Sequence, residues 1–265
     1  MQVSVLASGS TGNASLIETK QHKVLMDAGL SGKKLKALLA EVNVEITQLD
    51  AVFLSHDHSD HSSGLGVLLR RYPQIDGFAN DGTWQYLLKT HKIGKLPVEQ
   101  LNVINPGQTK QFGDLSVTAF ATSHDAAEPQ YYVFESGGKR MAFLTDTGYV
   151  SQRVESVITD ADAYLMEFNY DQMMLRQGPY SWPLKQRILS DVGHLSNDEA
   201  GQALADVVTS RTKHVFLAHR SQENNTCQKA HQTAYHWLEQ GDSEADGDIQ
   251  LIDTAPDVPS PLIEI

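Results

Sequence analysis

Short apolar segments alternate with segments of helical periodicity along most of this chain. Strands are predicted where an apolar segment contains β-branched or aromatic residues and is bounded by turn-forming residues. The predicted strands are Val3–Ala7, Ser15–Thr19, Lys23–Met26, Asp50–Leu54, Leu115–Ala121, Tyr131–Glu135, Arg140–Leu144, Asp162–Met166 and His214–Ala218. Strands that alternate with helices in this way indicate an α/β protein.

Helices are predicted between these strands, where apolar residues recur every three or four positions. Ser31 is expected to cap the first helix, with Leu35, Leu38 and Leu39 on its buried face. The other predicted helices are Ser62–Tyr72, Gly82–His91 and Cys227–Leu238, and the chain between Met166 and His214 is expected to be mostly helical.

Two parts of the chain follow the same plan. Residues 15–29 and 132–148 each contain two predicted strands, end in Asp-x-Gly and precede a predicted helix. Two similar β-rich halves favour two mixed sheets that face one another, with helices outside. The alternative is a chance similarity between two common hairpins.

Composition places the chain among ordinary globular proteins. Its 265 residues are 40% hydrophobic and 20% charged, which excludes extensive disorder and fibrous repeats. Without a linker-like segment, we expect a single domain over residues 1–265, with an acidic, mobile tail from about residue 241 that contains one strand at Ile249–Ile252. A membrane-spanning run of about 18 apolar residues is absent, the N-terminus does not resemble a signal peptide, and Cys227 is the only cysteine. A cytoplasmic location is therefore predicted.

The net charge of −12 disfavours a nucleic-acid partner, but its distribution weakens that argument. Residues 239–265 contain eight acids and neither Lys nor Arg, and without these eight the net charge is −4 instead of −12. Between residues 171 and 191 the only charged side chains are Arg176, Lys185 and Arg187. This basic stretch is a candidate for phosphate binding, and a solvated helix face is the alternative.

The segment His56-Asp57-His58-Ser59-Asp60-His61 holds the chemistry most visible in the sequence. Residues two apart in an extended chain face the same side, so His56 and His58 can bind one metal ion together. Asp60 and His61 lie where the chain turns into a helix and can bind a second ion. Imidazole and carboxylate ligands suit Zn, Mn and Fe ions.

Further candidate ligands stand at the ends of later predicted strands. His124, Asp146 and His219 each follow an apolar segment. Each alone would be an ordinary cap or turn residue. Their common position at strand ends, together with the histidine-rich segment, favours a site with two metal ions.

The motif His-x-His-x-Asp-His, followed by a lone His, an Asp and a final His, resembles the metallo-β-lactamase superfamily. The resemblance implies a four-layer αβ/βα sandwich with two divalent ions, Zn or Mn being favoured over Fe. It implies that the first ion is held by His56, His58 and His124, the second by Asp60, His61 and His219, and that Asp146 bridges them. Asp27, in the Asp-x-Gly after the first hairpin, would orient ligands through hydrogen bonds.

Longer motifs resemble the compact YycJ/WalJ-type nuclease subgroup of this superfamily, which is related to tRNase Z and to the β-CASP nucleases. These motifs are Leu6–Asn13, Asp27–Lys34, Ser190–Asn197 and Leu217–Asn225. The resemblance implies a phosphodiesterase acting on nucleic acid, namely a 5′-to-3′ DNA exonuclease with a metal-bridging hydroxide as nucleophile. Asp60 and His194 would be catalytic, and Glu167 would orient His194, the general acid.

An alternative is a small-molecule hydrolase of the same fold that cleaves a thioester or a lactone, because one fold hosts many reactions. Glu167, His194 and the stretch containing Arg176, Lys185 and Arg187 favour the nuclease, since hydrolysis of thioesters or lactones requires none of them. The sequence indicates no membrane partner and leaves the oligomeric state open.

Overall fold

The computed structural model describes residues 1–241 and 249–265. Its strands are β1 (Gln2–Ala7), β2 (Ala14–Glu18), β3 (Lys23–Met26), β4 (Ala51–Phe53), β5 (Asp76–Ala79), β6 (Leu101–Val103), β7 (Thr109–Phe112), β8 (Leu115–Ala121), β9 (Gln130–Ser136), β10 (Lys139–Leu144), β11 (Ala163–Glu167), β12 (His214–Ala218), β13 (Gln250–Asp253) and β14 (Ile263–Glu264). Its α-helices are α1 (Gly32–Glu41), α2 (Ser59–Ser62), α3 (Leu65–Arg71), α4 (Asp81–Thr90), α5 (Gln152–Ile158), α6 (Gln172–Gln177), α7 (Trp182–Ile188), α8 (Asn197–Val207) and α9 (Cys227–Gln240).

These strands form two mixed sheets of seven strands each, with helices around them, which confirms the predicted fold class. The first sheet has the order β14-β1-β2-β3-β4-β5-β6. Its neighbours are antiparallel from β14 to β3 and parallel from β3 to β6. The second sheet contains the antiparallel run β7-β8-β9 and the parallel run β10-β11-β12-β13.

Contacts divide the chain into two compact units. Unit 1 consists of Met1–Ala121, Ala126–Gly138 and Thr254–Glu264, and unit 2 consists of Thr122–Asp125, Lys139–Asp253 and Ile265. Unit 1 therefore contains the whole first sheet, and unit 2 contains the parallel run β10–β13. The single domain over residues 1–265 stays a prediction. None of the helices in the described residues has the length and apolar character needed to cross a bilayer.

Apolar periodicity explains the elements that surround the candidate ligands. The Ser31 hydroxyl accepts the N–H of Lys34, and Leu35, Leu38 and Leu39 are buried, so α1 begins and packs as predicted. The residues of β11 are all buried, as are those of β12 after His214, which is typical of strands covered on both faces in a parallel sheet.

Two predictions need correction in detail. The helix predicted at Ser62–Tyr72 is interrupted after α2 and resumes at α3. At the interruption the N–H of Gly64 donates to Ala28 O outside the helix, and a Cβ atom there would lie 2.0 Å from Leu30 O, so only glycine fits. The strands β5, β6, β7 and β14 were not predicted, since each is short and three of them, β6, β7 and β14, are partly exposed at the sheet edges.

Part of the acidic tail lies within the structure. Residues 242–248, which carry most of its acids, are outside the described residues. The predicted strand near Ile249–Ile252 corresponds to β13, which pairs with β12. The end of the chain forms β14, which pairs with β1 and was predicted to be mobile. The backbone hydrogen bonds of these two pairings hold the segment in place.

Candidate metal centre

Unit 1 holds the histidine-rich segment, which runs from the end of β4 into the first turn of α2. The ring centroids of His56 and His58 are 4.7 Å apart, and those of His56 and His61 are 4.3 Å apart. The Asp60 carboxylate lies 3.5 Å from His61 Nε2. Three imidazoles and one carboxylate are thus gathered at the carboxyl end of β4, as the spacing in the sequence predicted.

Asp27 determines which nitrogen of His61 carries hydrogen. His61 Nδ1 donates to Asp27 Oδ2 at 2.7 Å, and both side chains are buried. The same carboxylate accepts the N–H and the hydroxyl of Ser55. Because Nδ1 is the donor, Nε2 is left with a lone pair, which is the form of imidazole that binds a metal ion. The orienting role of Asp27 toward a metal ligand stays a prediction.

Asn13 is a residue of this site that sequence reasoning missed. Its side-chain N–H group lies 3.0 Å from His61 Nε2 and 3.3 Å from the backbone oxygen of Asp60. Its own oxygen accepts the N–H of Gly9, and its backbone N–H donates to Asp60 O at 2.7 Å. Asn13 closes the turn between β1 and β2. The polar residue at the end of that glycine-containing turn was the available signal.

Unit 2 places Asp146 among three histidines. Asp146 Oδ1 lies 3.4 Å from His219 Nε2, 3.7 Å from His194 Nδ1 and 3.8 Å from His124 Nε2. The other oxygen of the carboxylate accepts the hydroxyl of Thr145. Asp146, Glu167, His194 and His219 each present a ligand atom within 4.8 Å of the others. Unit 2 therefore supplies a compact group of carboxylate and imidazole donors.

Glu167 is fully buried and joins two of these histidines. Glu167 Oε1 accepts His194 Nδ1 at 2.7 Å and His219 Nδ1 at 3.2 Å. Its Oε2 accepts the backbone N–H groups of Thr147 and Leu195. Burial acts to raise the pKa of the Glu167 carboxyl, but the positive charge of His194 and the hydrogen bonds from both histidines hold that pKa below its ordinary value. The carboxylate is therefore ionised and fixes the orientation of both rings.

Three of the predicted site residues have left-handed backbone conformations. The φ angles are 62° at Asp27, 47° at Asp146 and 50° at His219. Each of the three follows a strand, where the chain must turn sharply to aim the side chain past the end of the sheet. Such conformations cost about 1–3 kcal/mol each and cluster at functional sites. Asp and His are among the residues that adopt them most readily.

The donor set of each unit fits divalent metal ions. His61, His124 and His219 each engage Nδ1 in a hydrogen bond, to Asp27, to Gly193 O at 3.0 Å and to Glu167. This arrangement directs Nε2 outward, as in metal-binding histidines. Nitrogen and oxygen donors of this kind suit Zn, Mn and Fe alike.

Two of the three cations in the basic stretch of unit 2 make contacts within the protein. Lys185 is buried, and its ammonium donates to the backbone oxygens of Arg176 and Gly178 at 2.9 and 2.8 Å. Two of the three ammonium hydrogens are thus used within the protein and the side chain is buried, so the geometry favours a structural role. Arg187 forms a bidentate ion pair with Asp125, with N···O distances of 2.6 and 2.7 Å. Arg176 is exposed, and phosphate contacts by Arg176 and Arg187 stay predictions.

Comparison with known proteins gives consistent findings. A sequence model described as "Beta-lactamase superfamily domain" matches residues 22–219. The chain is 47% identical to Exodeoxyribonuclease WalJ of Streptococcus pneumoniae strain ATCC BAA-255 / R6 over 262 residues, which cover 99% of this chain and 97% of that protein. It is 44% identical to Exodeoxyribonuclease YycJ of Bacillus anthracis over 99% of this chain and 98% of that protein. The crystal structure of the metallo-beta-lactamase fold protein YhfI from Bacillus subtilis matches with a TM-score of 0.72 over 98% of both chains, at 18% identity.

Proposed function

This chain belongs to the β-lactamase superfamily, as its motifs predicted, and we propose that it is a metal-dependent exodeoxyribonuclease. Full-length identity of 44–47% to proteins named exodeoxyribonucleases supports DNA as the substrate. The observation that carries the chemistry is the pair formed by Glu167 and His194 at 2.7 Å, with His194 Nδ1 only 3.7 Å from Asp146 Oδ1. Hydrolysis of a thioester or lactone does not require such a pair.

The family implies divalent metal ions, and we propose as their ligands the seven residues that the sequence predicted. They are His56, His58, Asp60, His61, His124, Asp146 and His219. We propose two ions per chain, Zn or Mn, with Asp60 also acting as a catalytic carboxylate. When bound, divalent ions activate water as a nucleophile and offset negative charge on phosphate oxygens.

The residues of this chain contribute orientation and proton transfer. Glu167 holds His194 Nδ1, so Nε2 is the nitrogen that can deliver a proton to the leaving oxygen of the sugar. Without that proton the sugar oxygen would leave as an alkoxide, which is a poor leaving group. Asp27 and Glu167 keep His61 and His219 in the tautomer that leaves Nε2 unprotonated. Cleavage in the 5′-to-3′ direction is proposed from the resemblance alone, and a cytoplasmic location stays a prediction.

The test is turnover of 5′-labelled DNA, bis-p-nitrophenyl phosphate and a panel of thioesters and lactones, with Mn and Zn compared. We expect metal-dependent release of nucleotides from DNA and no turnover of the panel. Asp146→Ala should abolish DNA cleavage and lose at least one ion by elemental analysis, because Asp146 faces three imidazoles. Asp206→Ala, an exposed change of the same kind on α8, should leave both unchanged. Turnover of the panel without cleavage of DNA would contradict the nuclease assignment.

A further inference from the structure

A cleft in unit 1 lies outside the residues assigned above. It has a volume of about 280 Å³ and opens between α1 and α3. Its walls include Gly32, Lys33 and Lys36 of α1, Val67 and Arg71 of α3, and the adjacent Tyr72. The exposed side chains of Lys33, Lys36 and Arg71 make the rim of this cleft cationic. We refer to it as the α1–α3 cleft.

The charge of these two helices is opposite to that of the whole chain. The chain carries 33 acidic and 21 basic residues. The α1 and α3 helices instead carry five cations, against one acid at the last position of α1. The cations are Lys33, Lys34, Lys36, Arg70 and Arg71, and the acid is Glu41. A local excess of this sign in an acidic protein favours a polyanionic ligand at this surface.

Hydrogen bonds to backbone oxygens account for two of these five cations. Lys34 Nζ donates to Pro256 O at 3.0 Å, and Arg70 donates to two backbone oxygens in the segment after α4. Among residues 1–241 and 249–265, no carboxylate forms an ion pair with Lys33, Lys36 or Arg71. These three are the cations that line the α1–α3 cleft. Arg71 also lies 6.0 Å from the centroid of the Tyr72 ring.

The first turn of α1 adds to the same preference. The Ser31 hydroxyl caps the helix through Lys34 N, and the first turn contains no acidic side chain. The amino end of a helix carries a partial positive charge, and here that end opens at Gly32 and Lys33 of the cleft. The helix end thus reinforces the three side-chain cations and does not stand alone.

The α1–α3 cleft is connected to the candidate metal ligands through short segments of unit 1. Ala28 N donates to His61 O, and Gly64 N donates to Ala28 O, both at 2.8 Å. These bonds hold the chain before α1 against the chain before α3. Arg71 lies ten positions after His61, and α2 and α3 cover most of that stretch, so at the helical rise of 1.5 Å per residue the two are on the order of 15 Å apart. A strand within a DNA double helix advances about 3.4 Å per nucleotide, so this distance corresponds to about three to five nucleotides of duplex.

We propose that the α1–α3 cleft binds backbone phosphates of the DNA substrate about three to five nucleotides from the bond that is cleaved. This inference rests on the proposed exonuclease function and names a binding surface for its substrate. Lys33, Lys36 and Arg71 are binding residues in this proposal and take no part in the reaction. The cleft contributes affinity that depends on strand length and on salt, and it carries no preference among bases.

The experiment compares Lys33→Ala/Lys36→Ala/Arg71→Ala with the control Lys20→Ala/Lys89→Ala/Lys92→Ala, which removes the same charge from exposed positions elsewhere in unit 1. Binding of fluorescent single strands of two and twelve nucleotides is measured by anisotropy with EDTA present, as a function of salt. Cleavage of the same strands and of bis-p-nitrophenyl phosphate is measured with metal added. Circular dichroism checks that both variants are folded.

We expect the cleft variant to lose about five-fold in affinity for the long strand per phosphate contact at about 0.1 M salt, with a salt dependence shallower by about 0.7 per contact. KM for the long strand should rise while kcat stays the same. Binding and cleavage of the dinucleotide and cleavage of bis-p-nitrophenyl phosphate should not change. Equal losses in the cleft and control variants, or equal losses on both strand lengths, would overturn the proposal. If the parent protein cleaves no DNA, the proposed exonuclease function is wrong. If the parent cleaves DNA and the cleft variant binds it with unchanged affinity, only the proposal that the cleft binds phosphates is overturned.

Discussion

Replacing Glu167 by Gln tests how the buried carboxylate controls the metal ligands. In the native protein, one oxygen accepts His194 Nδ1 and His219 Nδ1, and the other accepts the N–H groups of Thr147 and Leu195. Glutamine has the same shape but offers one oxygen and one NH₂ group. If NH₂ faced the two backbone donors, two buried N–H groups would lose their acceptors, at about 1–3 kcal/mol each. The amide oxygen should therefore face the backbone.

In that orientation the two amide hydrogens point at the imidazoles. Each ring can satisfy its Nδ1 only by accepting, which moves its hydrogen to Nε2. In His219 this hydrogen points toward Asp146 Oδ1, which lies 3.4 Å from Nε2, and it occupies the lone pair proposed to bind metal. Loss of an orienting partner of this kind reduces metal affinity by about 10- to 100-fold. That factor corresponds to about 1.4–2.7 kcal/mol of binding free energy.

The assay is calorimetric titration of metal-free Glu167→Gln with Zn and Mn, together with thermal unfolding with and without metal. We expect the free energy of unfolding without metal to be close to that of the parent protein. The stabilisation that metal adds should be smaller by about 1.4–2.7 kcal/mol. Imidazole ¹⁵N shifts should show hydrogen on Nε2 of His194 and His219. Glu155→Gln, the same exchange at a half-buried position of α5, is the control. Unchanged metal affinity would refute the reasoning, and a large loss of metal-free stability would indicate a packing role instead.

Three further predictions concern other residues of unit 2. His194→Ala should slow DNA cleavage by about 10²–10⁴-fold while metal content is retained. It should hardly affect cleavage of bis-p-nitrophenyl phosphate, because that leaving group needs no proton. Equal losses of activity on both substrates would indicate a structural role. Lys185→Met should lower the free energy of unfolding by about 2 kcal/mol, because the carbonyl oxygens of Arg176 and Gly178 lose hydrogen bonds from a charged donor. It should leave the salt dependence of DNA binding unchanged, and a shallower salt dependence would favour the phosphate contact instead. Burial acts to raise the pKa of Asp162, but hydrogen bonds from Lys139, Arg211 and Arg140 N lower that pKa below the ordinary value. The ionised carboxylate therefore stabilises the folded state above about pH 4, and this stabilisation is lost as the pH falls through the folded-state pKa. Asp162→Asn should therefore destabilise the protein at neutral pH and make the loss of stability below about pH 4 less steep. The free energy of unfolding is measured by urea titration at several pH values, and an unchanged decline below about pH 4 would contradict this prediction.

The sequence by itself determined the elements and the family. Apolar periodicity located most strands and the capped α1, because burial of one face leaves a pattern that is local in the chain. The histidine-rich segment was visible for the same reason, since its residues are neighbours in sequence and in space. The short edge strands escaped prediction because they bury too little apolar surface to leave a pattern.

Tertiary structure decided how each candidate side chain is used. Lys185 and Arg187 have the same charge in the sequence, yet one ammonium binds backbone oxygens in the interior and one guanidinium pairs with Asp125. Asn13 meets His61 across 48 positions of the chain, and Glu167 meets His219 across 52. Contacts between residues so far apart depend on how the strands are ordered in the sheet, and no local pattern records that order. The hydrogen-bond partner that fixes an imidazole tautomer, and with it the chemistry of the ring, is therefore set by the fold alone.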